Sequence, residues 1–105
     1  MRTAEVWINN TLAAILSKTE KGYSFQYDNL YLSQDNLQPV SLTLPVQLEP
    51  FHSRNLFAFF DGLIPEGWLL NIAQKNWKLN SQDRMGLLLA MCKDCIGNIS
   101  IIEKL

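Results

Sequence analysis

The stretch Tyr23-Ser24-Phe25-Gln26-Tyr27 alternates strictly between aromatic and polar residues. Successive side chains of a strand point to opposite faces, so this pattern sets three rings on one face and polar groups on the other. That is the signature of a half-buried strand in an antiparallel sheet with one face on a core. The residues before it supply its neighbours. Ala4-Glu5-Val6-Trp7-Ile8 is a short β-prone run stopped by Asn9-Asn10, and asparagine tolerates the positive φ of a two-residue hairpin turn. From Thr11 to Ser17 the alternation places Leu12, Ala14 and Leu16 on one face, and Lys21-Gly22 turns the chain into the aromatic strand. A three-stranded meander is expected, with Trp7 in the core. Val40-Ser41-Leu42-Thr43-Leu44 alternates as strictly and predicts a further strand, stopped by Pro45.

The second half changes period. Residues 28–39 are polar and irregular, with one short turn at Asn29–Leu32, and Gln47 to His52 reads as a loop. Ser53 is a good N-cap for a helix from Arg54 to Asp61, whose Leu56, Phe57, Phe59 and Phe60 are too apolar for a surface helix. Gly62 breaks that helix, and Pro65 suits the first position of the next, which runs to about Lys78. Ser81 caps a third helix through Met91. Gly97 interrupts the chain, and Ile99-Ser100-Ile101-Ile102 closes as a last strand. The expected fold is a single α+β domain over residues 1–105. It comprises a small antiparallel β-sheet or partial barrel of about five strands, with about three helices from the second half.

Charge and composition narrow the function. The chain has nine basic and ten acidic residues, net −1, with no run of Lys or Arg to meet nucleic acid or anionic lipid. No apolar stretch approaches the ~18 residues of a membrane span, and the N-terminus lacks a signal-peptide h-region, so a cytoplasmic location is expected. Charged residues are only 18% of the chain, which leaves apolar area for a protein partner. Cys92 and Cys95 form one CxxC pair. With only His52 to add, they fall short of the four ligands of structural zinc, and they follow a helical run where a redox motif should open one. No Gly-rich phosphate loop occurs, and His52 has no nearby acid except Glu49. Asp61 and Glu66 are close enough to work as a carboxylate pair, yet helix capping around Pro65 is the simpler role. No cofactor, metal or catalytic residue is expected.

The helix from Pro65 carries the one candidate for binding. At about 100° per residue, Leu69, Ile72, Ala73 and Trp77 form its core stripe. Trp68 lies roughly 115° away, on the polar arc with Asn71 and Lys75. A Trp so placed either folds back over a neighbouring element or anchors a partner.

Several segments resemble one family. Ser41-Leu42-Thr43-Leu44-Pro45 is similar to the "SLSLP" run of the N-terminal subdomain of HipA-type serine/threonine toxin kinases. Phe59-Phe60-Asp61-Gly62-Leu63-Ile64-Pro65-Glu66-Gly67 resembles that subdomain's "FFDNLLPEG" stretch, and Asp94-Cys95-Ile96-Gly97-Asn98-Ile99 its "G-x-D-x-x-G-A" turn and closing strand. Val6-Trp7-Ile8-Asn9-Asn10 also fits. The motifs keep the family's order over nearly the whole chain. Cys92-Lys93 departs from a common Gly-Arg type pair, and Asn98 from the usual Ala.

The kinase's ATP loop, catalytic Asp and metal ligands lie downstream of this subdomain in the family. The resemblance therefore implies the subdomain made as a separate protein, like the HipS-type small proteins of three-component HipBST toxin–antitoxin systems. Its implied partners are a HipA-like (HipT-type) toxin kinase and, in a larger complex, a helix-turn-helix HipB-type protein. No direct contact with nucleic acid or membrane is implied. The implied role is an antitoxin that inhibits the kinase, with Trp68 inserted at or near its active site and Pro65, Glu66, Gly67, Asn71 and Lys75 around it. Two alternatives stand beside it: an obligate subunit that completes or activates the kinase, and a small CxxC redox protein.

Overall fold

The structure is a computed structural model, which describes residues 2–35, 37–64, 84–91 and 98–104. Five antiparallel strands form one open sheet: β1 (Arg2–Ile8), β2 (Thr11–Thr19), β3 (Gly22–Tyr27), β4 (Phe51–Ser53) and β5 (Ile99–Glu103), in the order β4-β3-β2-β1-β5. The sheet is not closed into a barrel. Three helices are described: α1 (Asn29–Leu32), α2 (Ala58–Asp61) and α3 (Arg84–Met91). The class is α+β, as expected, but α1 lies in the first half of the chain.

The meander forms for the reasons the residues suggest. Asn9 and Asn10 both adopt left-handed backbone, with φ of 50° and 66°, and join β1 to β2 in two residues. Ala4, Val6 and Ile8 alternate into the core from β1, as Tyr23, Phe25 and Tyr27 do from β3. One detail departs from simple alternation. Val6 pairs with Ala14 but Trp7 pairs with Leu12, so Ala13 is an extra residue, a β-bulge. The bulge reverses the faces before it. Leu12 therefore joins Trp7 on the outer face instead of sharing a face with Ala14 and Leu16. Ala13 is itself buried, and its carbonyl accepts the Asp28 N–H at 2.8 Å. Trp7, out of phase with Val6 and Ile8, lies half-buried on the outer face and not in the core.

The core occupies the opposite face. Phe25 is its centre, with ring centroids 5.0 Å from Tyr27, 5.6 Å from Phe60 and 6.1 Å from Phe51. Phe60 of α2 and Met85, Leu87 and Leu88 of α3 are buried above it, with Ile101 from β5. The Arg84 Nε donates to Asp61 Oδ1 at 2.7 Å and so links α3 to the end of α2. Asp61 thus serves an ion pair at the C-terminus of α2, where its charge opposes the dipole; the capping role expected of it around Pro65 falls outside the described residues.

Three expected boundaries change. Residues 40–44 form a tight turn with a single Ser41–Leu44 bridge, not a strand. The Ser41 and Thr43 hydroxyls lie 3.0 Å apart, and Ser41 Oγ accepts the Thr43 N–H at 3.3 Å. These local side-chain bonds compete with a ladder. The fourth strand is Phe51–Ser53, within and just beyond the segment expected as a loop, where Phe25 pairs with Phe51 and Ser24 with His52. Ser53 consequently ends a strand. Its hydroxyl accepts the Asn55 N–H at 3.3 Å, and α2 starts only at Ala58, after a Phe57 that makes no side-chain cap.

Candidate docking surface

Two tyrosines on consecutive elements hold the chain between α1 and β4. The buried Tyr27 hydroxyl donates to the Leu44 carbonyl and accepts the Val40 N–H at 2.9 Å. The Tyr31 hydroxyl donates to the Gln38 carbonyl at 2.5 Å, and its ring stacks 6.1 Å from that of Tyr27. Asp28 caps α1 by accepting the N–H groups of Leu30 and Tyr31, at 3.1 and 3.4 Å. Val40 and Leu44 are drawn into the core, and Leu42 between them is turned outward, 94% exposed. Burial pushes the Tyr27 phenol above the ordinary tyrosine range; the Val40 N–H opposes this and the neighbouring Tyr31 adds to it.

Leu42 has company. Leu30 on α1 is 77% exposed, and Leu48, whose carbonyl accepts from Gln26 Nε2 at 3.5 Å, is 63% exposed. All three large apolar side chains sit on segments tied by hydrogen bonds or chain continuity to the end of β3. A second apolar area lies on the outer face of the sheet. There Trp7 pairs with Leu12, and Glu5 pairs with Ile15 on one side and Ile102 on the other. The Trp7 indole N–H donates to Glu5 Oε1 at 3.3 Å, which ties the ring to the residue two places back on β1. Side chains this apolar on a solvent-facing surface suit contact with another protein.

The residues singled out in the sequence, Pro65, Glu66, Gly67, Trp68, Asn71 and Lys75, lie outside the described residues, as do Cys92, Cys95 and Trp77. Sequence reasoning missed Leu42 as a surface group because strict alternation was read through a hydroxyl-stabilised turn, and Leu12 because it was read across a bulge; Trp7 was expected in the core against the alternation of its own strand, which sets it opposite Val6 and Ile8. His52 is exposed on β4. Among the described residues no His, Cys, Asp and Glu side chains are grouped closely enough to hold a metal ion, and no helix is long and apolar enough to cross a membrane.

An open five-stranded antiparallel sheet with short helices on one face defines the class. The HipA N-terminal domain family model matches residues 4–102, and the chain belongs to that family. An uncharacterized protein of Haemophilus influenzae is 29% identical over 99% of this chain and 94% of its own length. The Sinorhizobium fredii protein named "Putative kinase Y4mE" is 33% identical over 63% of this chain, a match that spans only 16% of that protein. Among solved structures, the N-terminal domain of HipA toxin superposes with a TM-score of 0.72 at 24% identity, over all of this chain and 94% of that one.

Proposed function

We propose that this chain is a non-catalytic docking subunit that binds and inhibits a HipA-like serine/threonine toxin kinase of the HipT type, as an antitoxin. The observation that carries the reading is the distribution of the domain. It matches 94% of one relative, and 16% of another that bears a kinase name. A domain that packs against the remainder of a kinase in one chain keeps a complementary surface when the two are separate. The outward Leu42 and the outer-face Trp7 supply apolar area for such contact. Trp68, off the core stripe of its expected helix, is the side chain assigned to reach the kinase's active site. A helix-turn-helix HipB-type protein is the further partner in a larger complex, and it is the component that meets DNA.

The test is co-expression with the kinase encoded beside this chain, followed by size-exclusion chromatography and a phosphorylation assay. A stable complex with suppressed phosphorylation is expected. Trp68→Ala should retain the fold by circular dichroism yet lose inhibition by tenfold or more, about 1.4 kcal/mol or greater. A variant that inhibits like wild type would remove Trp68 from the mechanism. A complex with enhanced phosphorylation would make the chain an activating subunit, and absence of any complex would refute the docking role.

A further inference from the structure

At the far end of the β2–β3 hairpin the chain gathers positive charge that the docking role does not use. Lys18, Lys21 and Arg54 line an open groove of about 510 Å3 and its continuation beyond the turn, with the Ser24 hydroxyl and the His52 imidazole on one wall. These are three of the nine Lys and Arg residues of a chain whose net charge is −1. Glu20 is the one acid that lines the groove among the described residues. Lys18 spans the Tyr23 ring, its Nζ 5.8 Å from the centroid. The Lys21 and Arg54 side chains are exposed, and the ion pairs found among the described residues, Arg2–Glu103 and Arg84–Asp61, involve neither.

The crowding is built by the backbone. Gly22 has φ of +131°, and a Cβ there would stand 2.9 Å from Arg54 Cα and closer still to the Ser53 carbonyl oxygen. The absence of that carbon lets the end of β4 cross directly over the turn and sets Arg54 beside Lys21. Like charges so placed repel, and an anion between them relieves the repulsion. Arg54 offers a planar fork of N–H donors, Lys21 a mobile point charge, and Ser24 and His52 further donors. That set matches phosphate oxygens, and the volume suits a small molecule better than a lone ion.

We propose that the groove between the β2–β3 turn and the end of β4 binds the phosphate groups of a small phosphorylated molecule, through Lys21 and Arg54. The proposal does not rest on kinase docking, because the chain alone is the test object. Isotope-labelled full-length protein is titrated separately with inorganic pyrophosphate, ATP, phosphoserine and sulfate, and amide shifts are followed by NMR. Saturable shifts confined to residues 18–24 and 52–54 are expected with pyrophosphate or ATP. The double variant Lys21→Gln/Arg54→Gln should fold normally and bind about tenfold more weakly or worse. If pyrophosphate alone suffices, the phosphate chain is the ligand; tighter binding of ATP would add a contact to the nucleoside. Equal, non-saturating shifts with sulfate, unchanged in the variant, would mean an adventitious ion only and overturn the proposal. Saturation by phosphoserine but not by pyrophosphate or ATP would also overturn it, in favour of a phosphorylated protein segment.

Discussion

The Tyr27 hydroxyl, 17 residues before the carbonyl it donates to, does for residues 40–44 what a sheet ladder would otherwise do. Tyr27→Phe keeps the ring in the core and removes only the oxygen. The Val40 N–H and Leu44 carbonyl then lose their shared partner, at a cost of about 1–3 kcal/mol for buried groups left unpaired. A lower urea midpoint with an unchanged slope is the expected result. A pH arm separates this from simple packing. Because burial raises the folded-state pKa of Tyr27, the folded chain holds its proton when the unfolded chain has lost it. This contribution is fully present below about pH 10 and is lost as pH climbs through the raised folded value. Wild type should therefore weaken more steeply in alkali than Tyr27→Phe, as read from urea midpoints at about pH 8 and about pH 10.5.

Among the elements, the meander was legible because each device is local. Alternation over residues 23–27 survives in β3, and Asn9-Asn10 makes the expected turn. The errors have physical causes of their own. Residues 40–44 alternate like a strand, but the Ser41 and Thr43 hydroxyls satisfy the backbone locally and Pro45 has no N–H for a ladder. β4 is only three residues long, too short for any period to show, and it forms because Phe51 finds Phe25 across the sheet. The bulge at Ala13 cannot be read from a pattern that treats β2 as regular. The approach of β4 to the β2–β3 turn depends on Gly22, and Gly22→Ala tests it. Positive φ and the close Ser53 carbonyl together predict a loss of about 2–4 kcal/mol, by thermal or urea denaturation, unless β4 is displaced. Displacement of β4 would appear as selective loss of hydrogen-exchange protection at residues 24 and 52.

For the molecule as a whole, the sheet's order places β1 between β2 and β5, so the first strand is an interior one and the last is an edge. Two long-range hydrogen bonds frame that pairing, Asn9 N–H to the Asn98 carbonyl at 2.9 Å and Lys104 N–H to the Thr3 carbonyl at 2.8 Å. The family resemblance was legible because its motifs are spread across the domain. The docking surface was not, because the direction of Leu42 is set by its turn and that of Leu12 by the bulge at Ala13. The strand order also separates local from distant contacts. Ile101 is fully buried at the distant pairing, and Ile101→Ala should cost about 2–4 kcal/mol. Most of that loss should appear as faster unfolding in stopped-flow chevrons, with refolding little changed.

The same arrangement sets a timetable for synthesis. β1, β2 and β3 leave the ribosome together and can pair at once, yet β1 has no second neighbour until residue 103 follows. At about 5–20 residues per second that delay lasts roughly 4–15 s. Throughout it the nascent meander carries a bare rim of backbone donors and acceptors, which the finished protein hides. Neighbouring chains on one messenger are then close enough to pair by mistake, so translation speed between residues 28 and 103 bears directly on the yield of folded protein.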